Sequence, residues 1–145
     1  MSRATAALIA TLLAPLPALA GPQTGEAVNS FRLAKGLPAL TYSADLEQAA
    51  QGHAAELARR NSTSHKGRDG SDHMTRIART GFALCRGGKK YGAENIAYGF
   101  SNLNSVIKAW SGSSGHYKNL TTRKATHYGL GHAGDKWVLV VARAC

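Results

Sequence analysis

Apolar residues recur at helical spacing in four stretches of the chain, and each stretch predicts a helix. The predicted helices cover residues 26–35, 45–60 and 72–80, and a fourth, capped by Ser101 or Asn102, runs through residue 110. Residues that favour helix ends stand at their boundaries: Gly36 and Gly81 follow the first and third helices, and Ser71 precedes the third as its expected cap. In the second helix, His53 falls on the apolar stripe, which predicts a buried, hydrogen-bonded core histidine outside any functional site.

Two strands are predicted near the carboxyl end, over residues 126–133 and 136–142. Gly134 and Asp135 between them favour a tight hairpin. The second strand contains an unbroken apolar run, residues 138–141, which predicts a central strand covered on both faces. The chain has 145 residues and no internal repeat, so it is long enough for one domain with a substantial core.

Residues 1–20 have the pattern of a signal peptide. Arg3 provides a basic start, residues 6–16 form an apolar stretch, and residues 18–20 have the small-x-small pattern of a cleavage site. We therefore expect a secreted or periplasmic mature domain of residues 21–145 without a transmembrane segment. An uncleaved membrane anchor is the alternative, and the shortness of the apolar stretch argues against it.

Basic residues outnumber acidic ones, with 18 Lys and Arg against eight Asp and Glu. The formal net charge is +10, and it falls to +9 when removal of residues 1–20 takes away Arg3. Such a surplus serves either solubility or binding to an anionic envelope polymer, nucleic acid or acidic lipid. Because the basic residues are scattered and form no nucleic-acid motif, a soluble surface is favoured over a basic binding module.

The two cysteines, Cys85 and Cys145, are predicted to form a disulfide bond. Pairing is the default in an oxidising compartment, although two free thiols remain the alternative. Neither cysteine belongs to a Cys-x-x-Cys or Cys-His pair, which argues against a metal site built on them.

Glu94 lies in a short apolar segment between glycines, and this segment predicts a strand. A carboxylate buried there needs a partner. His65 is available upstream in a polar loop, and His116 follows Gly112 and Gly115, which are expected to break the preceding helix. Two imidazoles and one carboxylate are typical of metal sites and of acid–base sites, so we predict that His65, Glu94 and His116 converge.

Five blocks of sequence, in order, resemble the bacterial branch of the CAP superfamily. This superfamily comprises the cysteine-rich secretory proteins, antigen five and the plant pathogenesis-related proteins, and its domain is also called SCP. The blocks are VNSFR with GLPAL (within 28–40), SHKGRDGS (64–71), ENIAYG (94–99), WSGSSGHYKN (110–119) and YGLG (128–131). The resemblance implies an α+β fold, a three-layer α-β-α sandwich with a central, mainly antiparallel sheet, a central cleft and a secreted location.

The cleft of that family usually presents two histidines and two acidic residues. His65, Glu94 and His116 match three of these positions, and Ser113 stands where the second acid is expected. Ser113 can only form hydrogen bonds, which removes one charged group from the implied site. The resemblance therefore implies a cleft in which His65 and His116 ligate at most a weakly bound divalent cation such as zinc.

Three classes of function are compatible with these residues. The favoured one is a monomeric, non-catalytic module that binds a small ligand, a lipid or a partner protein in or beside the cleft. The second is a metal-dependent hydrolase with His65 and His116 as ligands and Glu94 as general base, although it lacks the usual third protein ligand. The third is a basic module that binds anionic envelope polymers or nucleic acid.

Overall fold

The computed structural model describes residues 25–85 and 88–145. The predicted signal peptide, residues 1–20, and its cleavage site lie outside the described residues. In chain order the elements are α1 (Glu26–Ala34), β1 (Thr41–Tyr42), α2 (Ala44–Arg60), α3 (His73–Arg79), β2 (Gly92–Tyr98), α4 (Leu103–Ser111), α5 (Ser114–Leu120), β3 (His127–Ala133) and β4 (Lys136–Ala142). None of the helices in the described ranges is long and apolar enough to cross a membrane.

The four predicted helices are present, and side chains fix the starts of three of them. Ser43, Asp72 and Asn102 each accept a hydrogen bond from the backbone N–H three residues further on, at the starts of α2, α3 and α4. The prediction that Ser71 caps α3 is wrong. Asp72 takes that place, and its carboxylate accepts from the Thr75 N–H at 2.8 Å.

A fifth helix interrupts the loop that was expected before His116. Gly112 does end α4, but α5 begins at Ser114, and Gly115 lies in its first turn. The expectation that both glycines break the helix is therefore wrong for Gly115. The consequence is that His116 is carried by a helix and not by an irregular loop.

The sheet has the strand order β1-β3-β4-β2. β1 pairs with β3 in parallel, and the other two pairings are antiparallel. β4 thus has a neighbour on each side and is buried along its whole length, which confirms the prediction of a central strand. β2, the strand that carries Glu94, lies at the edge of the sheet.

The two faces of the sheet are covered by different helices, and alternate residues of β4 demonstrate this. Val138 and Val140 pack in one apolar cluster with residues of α2 and α3. Leu139 and Val141 pack in a second cluster with residues of α1, α4 and α5. The predicted three-layer α-β-α sandwich is therefore confirmed.

α2 lies unusually close to β3, and two glycines make this approach possible. A Cβ atom added to Gly129 would overlap backbone atoms of Leu46 and Glu47, and one added to Gly131 would overlap backbone atoms of Ala50. Side chains at these two positions would therefore push the helix off the sheet.

The predicted disulfide bond between Cys85 and Cys145 is confirmed, with the two Cα atoms 4.6 Å apart. It is supported by an isolated β-bridge between Leu84 and Ala144, which holds the end of the chain beside the segment that precedes β2. The bond therefore closes a loop with a sequence separation of 60 residues.

Reducing this disulfide bond is expected to lower the free energy of unfolding by about 2–4 kcal/mol, because a long loop in the unfolded chain is no longer closed. Urea unfolding of the oxidised protein and of a Cys85→Ser/Cys145→Ser variant measures the difference. Equal midpoints for the two proteins would contradict the expectation.

Candidate functional site

The side chain of Glu94 points from the edge of the sheet towards the layer formed by α2 and α3. Ile96, two residues along β2, packs in the α2–α3 cluster, whereas Ala93 and Ala97 pack in the opposite one. Because side chains alternate along a strand, Glu94 lies on the same face as Ile96. Glu94 is only 5% exposed, so its charge must be balanced within the protein.

Both carboxylate oxygens of Glu94 are engaged. Oε1 lies 2.8 Å from Nδ1 of His65, and Oε2 accepts a hydrogen bond of 2.7 Å from Nη2 of Arg76. Burial alone would raise the pKa of Glu94, but the hydrogen bond to His65 and the charge of Arg76 outweigh it and lower the pKa. The group is therefore an ionised carboxylate at neutral pH, with no free oxygen.

Arg76, which the sequence pattern did not single out, links Glu94 to the loop between α2 and α3. Its Nη1 donates to the carbonyl oxygen of Ser71 at 2.9 Å, and its Nη2 donates to that of His65 at 3.2 Å as well as to Glu94. One guanidinium thus holds the loop against the strand at two points, His65 and Ser71. Arg76 could have been predicted from the sequence, because a buried carboxylate requires a nearby cation and Arg76 lies on the first helix after His65.

His53 is a buried, hydrogen-bonded histidine, as predicted, and the structure places it beside Glu94. It is 1% exposed, and its Nε2 lies 3.0 Å from the carbonyl oxygen of Ser64 and 4.0 Å from Oε1 of Glu94. Burial lowers the pKa of His53, although the charge of Glu94 opposes this. His53 is therefore a neutral donor that holds the loop of His65 through the carbonyl group of Ser64.

His116 is held at the other side of the edge strand through two asparagines. Nδ2 of Asn95 donates to the carbonyl oxygen of His116 at 3.0 Å. Asn119, on the same helix as His116, donates to Oδ1 of Asn95 at 2.9 Å and to the carbonyl oxygen of Glu94 at 3.3 Å. Burial, and then the nearby charge of His65, lower the pKa of His116. We use the term cleft for the edge of β2 between the loop that carries His65 and the helix that carries His116.

Ser113 does not join this network. It precedes the first residue of α5 and lines a separate surface depression of about 460 Å³ with Phe100 and Lys108. Within residues 25–85 and 88–145, no hydrogen bond joins its side chain to Glu94 or to either histidine of the cleft. The structure thus brings His65 into contact with Glu94, places His116 nearby, and leaves Ser113 apart.

The fold and these residues agree with a comparison against known families. The model of the cysteine-rich secretory protein family, CAP, matches residues 26–141. The chain belongs to this family. Among curated proteins, the CAP domain is 28% identical over 114 residues to the uncharacterized protein YkwD of Bacillus subtilis, a match that covers 77% of this chain and 42% of YkwD.

Solved structures also resemble this CAP domain. An extracellular protein containing an SCP domain from Bacillus anthracis superposes with a TM-score of 0.76 at 25% identity, over 83% of this chain and 39% of that one. An outer surface protein of Borrelia burgdorferi superposes with a TM-score of 0.72 at 21% identity, over 83% and 89% of the two chains. The chain thus spans less than half the length of the two Bacillus proteins, and the Borrelia protein supports the fold alone.

The donor set of this CAP domain does not suit a tightly held zinc ion. Catalytic zinc sites normally have three protein ligands. In the part of the chain that the structure describes, no three His, Cys, Asp or Glu side chains are placed to hold a metal together. Glu94 is bonded to His65 and Arg76, so two imidazoles are the donors that remain.

Proposed function

We propose that this chain is a secreted, non-catalytic CAP domain that binds a small ligand in the cleft through His65 and His116. The observation that carries the proposal is the orientation of His65. An ionised Glu94 accepts a hydrogen bond from Nδ1–H, so the neutral ring has its lone pair on Nε2, and the side chain is 55% exposed. A fixed, accessible imidazole nitrogen is suited to accepting a hydrogen bond from a ligand.

A secreted location is part of the proposal. The pattern of residues 1–20 supports export, and two similar proteins are described as an extracellular protein and an outer surface protein. The ligand classes that fit are a small molecule, a lipid headgroup or a side chain of a partner protein with an O–H or N–H group. A divalent cation such as zinc would be held by two imidazoles only, and therefore weakly. The domain is expected to act as a monomer.

A hydrolase that uses Glu94 as general base is less well supported. A general base must reach the proton that it removes, directly or through one water. Both oxygens of Glu94 already form hydrogen bonds, and its lowered pKa makes it a weaker base. The binding role requires neither a free carboxylate nor a third metal ligand.

The test is a calorimetric titration with zinc, used as a probe of the two imidazoles, at about pH 7.5 and 5.5. We expect weak binding at the higher pH and its loss at the lower one, because protonated imidazole does not ligate and its ordinary pKa is about 6.5. The lowered pKa of His116 keeps that ring neutral further into the acid range, so protonation of His116 is not expected to cause the first loss.

The variants His65→Ala and His116→Ala are expected to abolish binding at the higher pH. His127→Ala is the matched control, since His127 lies at the start of β3, forms a hydrogen bond with the preceding Thr126 and takes no part in the cleft. Binding that survives both cleft substitutions, or that is lost in the control, would contradict the proposed site.

A basic binding module stays a separate prediction. Lys89 and Lys90 are exposed, while Arg86, which belongs to the same basic stretch, lies outside the described residues. If the stretch binds an anionic polymer, affinity should fall steeply between low and physiological salt. Binding that does not depend on salt would leave these residues with a role in solubility.

A further inference from the structure

The guanidinium of Arg76 occupies the position beside Glu94 at which a metal cation would balance the charge of the carboxylate. We infer that Arg76 is a specificity-determining residue of the cleft: its guanidinium bonds to Glu94 and keeps that carboxylate from ligating a divalent cation, so that the cleft favours an organic ligand with an O–H or N–H group over a cation. This inference rests on the proposed binding function and narrows its ligand class.

The position of the guanidinium is fixed by three contacts on two segments. It bonds to the carboxylate of Glu94 at 2.7 Å and to the carbonyl oxygens of Ser71 and His65 at 2.9 and 3.2 Å. The Arg76 side chain is 10% exposed and that of Glu94 1%, so water does little to screen their attraction. A metal ion that approached Glu94 would have to break these bonds or share the carboxylate with a fixed positive charge.

Among the described residues around the pair, each acid already has a partner, and Glu56 is bonded to Arg60. Asp69 is paired with Arg79, Asp72 caps α3, and Ser113 bears no charge. The ion pair of Glu94 and Arg76 is neutral as a unit. A dication at Nε2 of His65 would therefore face a pair without net charge and gain little attraction from it, whereas an organic donor group does not depend on such an attraction.

Removing the charge of Arg76 should convert the cleft into a cation site. In R76Q, Oε2 of Glu94 becomes available beside the two imidazoles, and we expect zinc affinity at about pH 7.5 to rise about tenfold or more over the wild type. R76K keeps a positive charge on the same helix position and is expected to stay near the wild-type affinity. In R76Q/E94Q the gain should disappear, because no carboxylate is left to ligate.

The experiment is a zinc titration of these four proteins by calorimetry, with circular dichroism to follow the fold. A folded R76Q that binds zinc no more tightly than the wild type overturns the inference. A gain that persists in R76Q/E94Q also overturns it, since the added ligand would not be Glu94. If R76Q does not fold alone, zinc is expected to restore its helical signal, and failure to do so counts against the inference equally.

These outcomes are distinct from those that test the proposed function. The proposed function depends on His65→Ala and His116→Ala in the wild-type background. The inference depends on the ratio of the zinc affinities of R76Q and the wild type. Where the wild type binds zinc too weakly to measure, the detection limit still gives a lower bound for this ratio. The inference can therefore fail while the two imidazoles still bind a ligand.

Discussion

Gly131→Ala is expected to lower the free energy of unfolding by at least about 4 kcal/mol, near the upper end of single-substitution effects. The new Cβ would overlap the backbone of Ala50 and Gln51 in α2. A flexible side chain could move aside, but here the obstacle is the main chain of a 17-residue helix that packs along β3 and β4. The helix must shift as a whole, which would also displace His53 beneath the loop of His65.

Gly52→Ala is the matched control for this substitution. Gly52 lies in the same helix, and apart from the adjacent backbone of that helix no described atom lies within 4 Å of the position of its added Cβ atom. Alanine is favoured over glycine inside a helix by roughly 1 kcal/mol, so a small gain in stability is expected. Thermal and urea unfolding of the two variants measures both effects. A loss below about 1 kcal/mol for Gly131→Ala would show that α2 and β3 are not in such close contact.

Local sequence patterns predicted most of the secondary structure. The apolar stripe of α2 is encoded by residues within that helix, and the turn between β3 and β4 is encoded by Gly134 and Asp135. The central position of β4 also follows from local sequence, because only a strand covered on both faces tolerates an unbroken apolar run. α5 was missed, since seven residues with a glycine in the first turn carry too weak a periodic signal.

Long-range partners were harder to predict. Arg32 lies in a predicted helix as a residue that would ordinarily be exposed, yet it is fully buried. Its guanidinium donates to the carbonyl oxygens of Pro38, Leu120 and Thr122, up to 90 residues away. Nothing near Arg32 in the sequence indicates that three carbonyl groups will converge on it.

The same limitation explains what was missed at the candidate site. The need of Glu94 for a partner was evident from its apolar segment, and the family resemblance indicated His65. Arg76 and His53 escaped because a basic residue late in a helix and a histidine on an apolar stripe each have an ordinary structural explanation. Only the packing of α2 and α3 on the same face of the sheet shows that both side chains face one carboxylate.

Glu94→Ala and Arg76→Ala are each expected to lower the free energy of unfolding by about 3–5 kcal/mol, because each leaves its buried partner unpaired. Arg79→Ala is the matched control on α3. Arg79 pairs with Asp69 at 2.6 Å, but the two side chains are 58% and 52% exposed, so water replaces the lost partner and no measurable loss is expected.

The double variant Glu94→Ala/Arg76→Ala should cost clearly less than the sum of the two single changes, because no unpaired charge is left behind. A coupling energy near zero would contradict the ion pair.

The pH dependence of stability provides an independent check. The pKa of Glu94 is lowered in the folded state. Its contribution to the free energy of unfolding is therefore complete above the ordinary glutamate pKa of about 4.3, and it is lost as the pH falls through the lowered value. The stability difference between wild type and Glu94→Ala should therefore be constant from about pH 7 down to about 5 and shrink below that, and a difference that grows on acidification would show that Glu94 is protonated in the fold.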